Sequence, residues 1–491
     1  MKKRIDRAMA ALGLYNFWTL MVKLHELYVI NPARFYRSGR PAAAESGWEA
    51  APDNHGVQAA LARDPSGVGV KPRTIWYLVH CFYPFSQGGT ERFVYNLARQ
   101  AQQEGHRVKV VTYNALANRR HFSHRVGGIL YGEYQVDGLE VIEYRHRRAP
   151  RGIVHDILTE DPDVDGFVGF LIKRERPDIV HAAYLQKVAS FLSACRRLEV
   201  TYGITFTSFF CMCHFDILID RKGALCGGSQ GGTRCRQVCA CLEIPDAAAR
   251  QGRMRELLQE AAFLTCPSQF VRKTVAREFT GLHIQVINHG ISREFRPDSP
   301  ASRPGPSGVR DFAYFGNMTP IKGVHVLIEA FREMPPDCTL NIYGTGPESY
   351  RRHLRRLMRG HNNIRLHGHV PYDQVQQAYA ANQAVVVPSI WHETYNFVIH
   401  EALLAGKLVI ASRIGAMPEL VRDGVNGMLF TPGDHRDLRH CLQQAISPDF
   451  RLPSPDGAGI NTIAREWACY HSIYESVLEE AANHECFKPT Q

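Results

Sequence analysis

The stretch WHETYNFVIHEALLAGK, residues 391–407, sets Glu393 and Glu401 on either side of Asn396–Val398, where a helix is expected to begin. A helix start offers unpaired N–H groups and the positive end of the helix dipole, which together suit a phosphate. The amides of Asn396, Phe397 and Val398 would meet a diphosphate there. Glu401 falls about one turn into the helix, where its two acceptor oxygens suit the paired hydroxyls of a ribose. Glu393, on the loop before the helix, would reach the hydroxyls of an attached sugar. Taken alone, the same two glutamates also describe a solvated loop acid and a first-turn residue stabilised by the dipole.

Other residues could share this chemistry. Lys322-Gly323, in YFGNMTPIKG, opens a predicted helix and could supply a cation to phosphate, with Gly316 and Asn317 on the loop before it. Gly344 and Gly346, in IYGTGP, lie at a strand end where backbone can pass close to a ligand. Gly88-Gly89 lies between a strand and a helix and would let backbone approach a sugar or phosphate with no side chain in the way. His181, in PDIVHAAY, ends a predicted strand, where it serves either an acceptor or the core.

The elements that must hold these residues read as an alternating pattern. TIWYLV from residue 74 is a strand, a helix follows over about 90–104 and stops at Gly105, and RVKVVTY is the next strand. This strand–helix–strand unit builds parallel sheets. PDIVHA, GITFTS, AAFLTCPS and IQVINHG add strands before the Pro/Ser-rich linker at 296–309. A second set then runs DFAYFG, TLNIYG, NIRLHG, QAVVVPS and KLVIAS, with helices between. Near-continuous Val/Ile/Leu strands indicate sheets covered on both faces. The expected fold is therefore α/β, with two doubly wound domains whose ligands sit at the carboxyl ends of the strands.

The 491 residues exceed one core, in keeping with this division. A net charge of +10 points to anionic partners such as nucleotide phosphate or an acidic membrane face. No nucleic-acid motif accompanies it. No stretch reaches the roughly 20 apolar residues that span a bilayer. Residues 5–29 read as a basic amphipathic helix that either lies on a membrane surface or docks on protein, and 38–72 read as a linker. Thirteen cysteines, seven of them scattered singly, suggest a reducing compartment and a cytoplasmic protein. Cys213, Cys226, Cys235 and Cys239 cluster with two others between 211 and 241. Four thiolates suit structural zinc or an iron–sulfur cluster, or they are simply unligated thiols packed in a loop.

The stretch VVVPSIWHETYNFVIHEALLAGKLVIASRIGAMPELVRDGVNGMLF resembles the signature region of the retaining glycosyltransferases of family 4, which have the GT-B fold: two Rossmann-like domains facing across a cleft. Pro-Ser, Glu-x7-Glu-Ala, Ala-Gly, Gly-x-x-Pro-Glu and Asn-Gly all fall in register. YFGNMTPIKGVHVLIEAF and FYPFSQGGTERFVYNLARQAQQEGHRVKVVT extend the likeness to roughly residues 74–480. The resemblance implies that Glu393 contacts the donor sugar and Glu401 the ribose. It implies that Lys322 grips the diphosphate and that Gly88 and Gly89 face the transferred sugar. His181 would stand near the acceptor. Asn317 takes the place of an arginine, Asn396 of a glycine, Leu408 of a proline and Ala183 of a second histidine. Some members carry a comparable cysteine-rich insertion.

The resulting expectation is a retaining transferase that moves a sugar from a UDP- or GDP-sugar to a glycan or lipid-linked acceptor in bacterial surface polysaccharide synthesis. Glu393, Lys322 and His181 would be its catalytic residues, and no cofactor is required for the chemistry. The expected boundaries are 1–70 for the N-terminal extension, 71–300 for the acceptor domain with its insertion at 207–243, 308–450 for the donor domain, and 451–491 for a helix packing back on the first domain. The location would be cytoplasmic or peripheral on the inner membrane face, with residues 1–30 as the contact. A non-catalytic nucleotide-sugar-binding subunit and a nucleotide-sugar epimerase of the same fold remain as alternatives.

Overall fold

A computed structural model describes residues 71–113, 122–148, 160–220, 223–239, 247–292, 308–451 and 459–486. The expected helix at 5–29 and the linker at 38–72 lie outside these residues, save for the end of the linker. Among the described residues, no helix is long and apolar enough to cross a membrane.

The first domain holds β1 (Thr74–Val79), β2 (Arg107–Tyr113), β3 (His124–Val126), β4 (Ile129–Val136), β5 (Leu139–His146), β6 (Ile179–Ala182), β7 (Tyr202–Thr205), β8 (Phe263–Cys266) and β9 (Gln285–Val286). They form one sheet ordered β3-β4-β5-β2-β1-β6-β7-β8-β9. All pairs are parallel except β3–β4 and β4–β5. The second domain holds β10 (Asp311–Phe315), β11 (Thr339–Tyr343), β12 (Ile364–Gly368), β13 (Ala384–Val387), β14 (Leu408–Ser412) and β15 (Gly427–Phe430). Its sheet is fully parallel, ordered β12-β11-β10-β13-β14-β15. Both are the doubly wound sheets expected from the sequence.

The central strands are buried on both faces: Ile75 to Val79 and Ala384 to Val386 are all fully buried. The helix Gly89–Gln103 turns Phe93, Val94, Leu97, Ala98 and Ala101 inward, a helical stripe that seats it on β1 and β2.

The antiparallel arm β3–β5 was not expected. Burial falls from β5, which is mostly buried, through β4, whose second half is open, to the exposed edge strand β3.

The last helix, Ile463–Cys486, crosses back to the first domain and buries Trp467, Tyr470 and Tyr474 in the core beneath β1. Buried Glu466 on this helix accepts from His289 Nδ1 and from the Gly290 amide, each at 2.8 Å. Arg73 is paired with Glu475. The two places where the chain passes between domains touch each other. The Ile291 amide donates to Asn461 O at 2.9 Å, and Asn461 Nδ2 donates to Asn288 O at 2.6 Å.

Candidate active site in the cleft between the domains

In the second domain β13 ends at Pro388-Ser389, and the chain loops through Glu393 to the helix Phe397–Leu404. Asn396 is the N-cap, its Oδ1 accepting from the Ile399 amide at 3.1 Å. This explains an asparagine at this position: the side chain satisfies one orphan amide and leaves those of Phe397 and Val398 to face a ligand. Glu401 follows one turn later.

A sequence-distant loop and the start of its own loop both reach Glu393. Lys322 Nζ donates to its Oε1 at 2.8 Å, and Ser389 Oγ donates to the same oxygen at 2.6 Å. The Lys322 ammonium also lies 5.1 Å from the centre of the Trp391 ring. Gly323 makes this approach possible. Its φ is +69°, and a Cβ on it would stand 1.8 Å from the Pro388 carbonyl oxygen. Gly415 does the same from the other side, where a Cβ would come within 2.6 Å of the Glu393 backbone. Glu393 is 3% exposed, so its carboxylate draws its hydrogen bonds from these partners and not from water.

Glu401 is likewise engaged. Tyr379 Oη donates to its Oε2 at 2.8 Å, and the Arg92 guanidinium pairs with its Oε1 across the cleft. Arg92 was not among the residues singled out from sequence. The available signal was its place in GGTER, in the first turn of the helix that the Gly-Gly loop opens.

Other cross-domain bonds gather on the same loop. Ser268 Oγ donates to Thr394 O at 2.8 Å, Thr394 Oγ1 to Thr207 O at 2.9 Å, and Tyr395 Oη to His289 O at 2.7 Å. Gly89 faces the Phe397 ring, 3.5 Å from where its Cβ would be, so the Gly-Gly loop and the helix start do meet across the cleft. Gly88 faces the Glu91 side chain: a Cβ there would sit 2.5 Å from a carboxylate oxygen, which would have to shift.

Gly316, Asn317, Gly344 and Gly346, expected at the donor, lie on two neighbouring loops. The loops after β10 and β11 close on each other. A Cβ on Gly344 would stand 1.9 Å from Gly316 O, and one on Gly346 1.9 Å from Met318 O. The glycines are needed because backbone meets backbone. Exposed Asn317 accepts a hydrogen bond from Tyr314 Oη through its carbonyl, at 2.8 Å.

His181 is a correction. It is fully buried, with Nδ1 2.6 Å from Tyr474 Oη and Nε2 2.6 Å from Thr205 Oγ1. Burial pushes its pKa down to about 3. It is a neutral core histidine under the last helix, with both ring nitrogens occupied, and no acceptor reaches it.

In the insertion, Phe209, Phe210, Cys211 and Met212 enter the first domain's core, clasped by Arg250, which donates to Phe210 O, and by Gln251, which donates to Met212 O at 2.9 Å. Cys213, Cys226 and Cys239 are buried and Cys235 is half-buried, all as free thiols. Burial first, then the neighbouring Cys213, Cys239 and Cys226, push the Cys235 thiol up to about 12. The Cys235 thiol thus lies near those of Cys213, Cys239 and Cys226, but no three of these sulfurs come within 4.8 Å of one another, which is wider than a zinc tetrahedron allows. Among the described residues, however, the three ligand groups whose donor atoms fall within 4.8 Å of one another are His80, Cys81 and Glu91 at the end of β1.

Two family models cover most of the chain: "Glycosyltransferase Family 4" matches residues 87–295 and "Glycosyl transferases group 1" matches residues 309–447. The chain belongs to the family 4 glycosyltransferases. Their two models meet at the domain boundary seen in the fold. Among relatives, the D-inositol 3-phosphate glycosyltransferase of Corynebacterium glutamicum is 31% identical over 37% of this chain and 46% of its own length. The lipopolysaccharide 1,2-N-acetylglucosaminetransferase of Salmonella typhimurium is 26% identical over 35% of this chain and 49% of its own length. The match therefore spans less than half the length of either curated relative. Among solved structures, HepE of Anabaena in complex with UDP and glucose is 19% identical, covers 85% of this chain and 100% of its own, and superposes with a TM-score of 0.54. The sucrose-phosphate synthase of Thermosynechococcus elongatus is 16% identical, covers 84% and 98%, and gives 0.56. The likeness to these structures shows the GT-B architecture of paired parallel-sheet domains.

Proposed function

We propose that this chain is a retaining glycosyltransferase that takes a sugar from a UDP- or GDP-sugar and passes it to a hydroxyl of a glycan or lipid-linked acceptor. The observation that carries this reading is the convergence of Lys322 and Glu393, from separate loops, beside the helix start at Phe397. The amides of Phe397 and Val398 and the Lys322 ammonium receive the diphosphate. Glu401 accepts from the ribose hydroxyls and Glu393 from those of the donor sugar.

In the step itself, the acceptor oxygen bonds to the anomeric carbon on the face from which the diphosphate departs. The bond between that carbon and the phosphate oxygen breaks, and the departing oxygen takes the acceptor's proton. No side chain need act as nucleophile. The protein contributes position and charge stabilisation as the diphosphate leaves. The crystallised relative holding UDP and glucose supports the choice of donor class. The relative acting on lipopolysaccharide supports a surface-glycan acceptor.

The test is turnover across a panel of UDP-, GDP- and ADP-sugars, with lipid-linked acceptors supplied, comparing the wild-type chain with Glu393→Ala. Turnover of one donor with net retention, lost in the variant, supports the reading. Donor binding without turnover would point instead to a non-catalytic subunit, a reading that the uncharged Asn317 favours. Release of a free sugar with no acceptor used would point to an epimerase.

A further inference from the structure

The cleft has a charge problem if it takes a diphosphate. Around the start of the helix Phe397–Leu404, the second domain brings together one cation, Lys322, and two carboxylates, Glu393 and Glu401. Asn317, exposed on the adjacent loop, brings no charge. One lysine against two glutamates leaves this wall with a formal charge of −1, and a diphosphate approaching it would be repelled. A second cation is required, and the fold supplies one from the opposite side.

Arg92 lies in the first turn of the helix Gly89–Gln103, its amide bonded to Gly88 O at 3.1 Å. Its side chain leaves the first domain and crosses the cleft. There it pairs with Glu401 and lies over the Phe397 ring, its central carbon 5.0 Å from the ring centre. Phe397 is the first residue of the helix that Glu401 also belongs to, so the guanidinium spans the distance from the phosphate-facing amides to the ribose-facing carboxylate. Its side chain is 15% exposed and that of Glu401 5% exposed, so neither charge is fully screened by water.

We propose that Arg92 is a donor-site residue contributed by the first domain, held by Glu401 and turned to the diphosphate once ribose hydroxyls take that carboxylate. The inference rests on the donor reading given under Proposed function and deepens it. The ribose and the guanidinium compete for the same Oε1, while Tyr379 keeps Oε2 in place. Five N–H donors in a planar fork let the guanidinium release one acceptor and engage two phosphate oxygens without leaving the Phe397 face. Because Arg92 comes from the first domain, the diphosphate gains its second cation only when both domains face each other. Nucleotide binding is thereby coupled to the closed cleft.

The test uses the full chain and the donor identified by the panel. The affinities of its nucleoside diphosphate and of the bare nucleoside are measured for wild type, Arg92→Ala and Arg92→Gln, with kcat and KM for the donor. The proposal expects the diphosphate to bind at least about ten-fold more weakly in both variants, and kcat to fall about a hundred-fold. The nucleoside, which has no phosphate and no longer competes with the guanidinium for Glu401, should bind as well as before or better. Asn317→Arg, placed in the Arg92→Gln background, should restore much of the lost diphosphate affinity. Equal weakening of nucleoside and diphosphate, with no rescue from position 317, would make Arg92 a mere strap between domains and overturn the proposal. Unchanged affinity and turnover in the variants would overturn it too. Failure of the wild-type chain to bind any nucleoside diphosphate would instead overturn the donor reading beneath it.

Discussion

Lys322 Nζ stands 2.8 Å from Glu393 Oε1, although the two residues hang from the ends of different strands, β10 and β13. The pair places a cation beside the helix start and holds a buried carboxylate at the mouth of the cleft. Each partner orients the other, so removing either one disturbs both. Lys322→Ala and Glu393→Ala should each lower kcat by about a hundred-fold or more, with the double variant little worse than either single. Multiplied losses in the double variant would mean that the two act independently.

Gly323 is the residue that lets the lysine loop reach Pro388. Gly323→Ala would force a Cβ into a carbonyl oxygen 1.8 Å away at a φ of +69°. The expected cost is at least about 2 kcal/mol, since the left-handed backbone alone costs about 1–2 kcal/mol. Gly360, with φ of +81° and open space around it, is the control. Urea midpoints should fall clearly further for Gly323→Ala than for Gly360→Ala, and only the former should lose donor affinity.

Several histidines are buried as neutral rings. Burial pushes His181 down to about 3, and His325 and His400 to about 4. In the unfolded chain each would titrate near ~6.5. Below that pH the unfolded state binds protons that the folded state does not. Stability is therefore full above about pH 6.5 and is lost as the pH falls toward 4, by up to about 1.4 kcal/mol per pH unit for each histidine. Denaturant midpoints measured at about pH 7.5 and about pH 5 should show this loss, with a shallower slope in His181→Gln. Equal midpoints at the two pH values would contradict it.

We propose zinc, at about one equivalent, as a ligand of the thiols of Cys213, Cys226, Cys235 and Cys239, which would have to draw their sulfurs closer together than they stand here. Elemental analysis of protein purified without chelator would find it, and Cys226→Ser would lose it. Visible absorbance from an iron–sulfur cluster, or no metal at all, would sink the zinc assignment.

Most of the fold was legible because its strands are apolar runs and its loops carry glycine. The parallel strands, apart from β15, and the helix start at Asn396 fall where the residue pattern puts them. The arm β3–β5 is hard to read in sequence because its segments HRV, ILYGEYQV and LEVIEYRH are neither apolar runs nor strict alternations. His181 was misplaced because a strand-end histidine looks the same in sequence whether it faces a cleft or a covering helix. Only the return of Tyr474, 293 residues later, decides between the two. Gly344 and Gly346 read in sequence as positions of close approach to a ligand; that they also meet the Gly316–Met318 backbone is not legible there. Arg92 was passed over because its partner Glu401 lies 309 residues away, on the other domain.

The bond between Ile291 and Asn461 has a mechanical consequence. Two passages of the chain lie side by side there, like the leaves of a door on one pin. A single tether would let the domains swivel in any direction; two strands fastened together leave a single axle. Displacement then grows with distance from that axle, so a small turn at Ile291 becomes a large one at the rim. Exchange of a bulky donor would then break the bonds of Ser268 and Thr394 across the cleft while leaving both sheets intact.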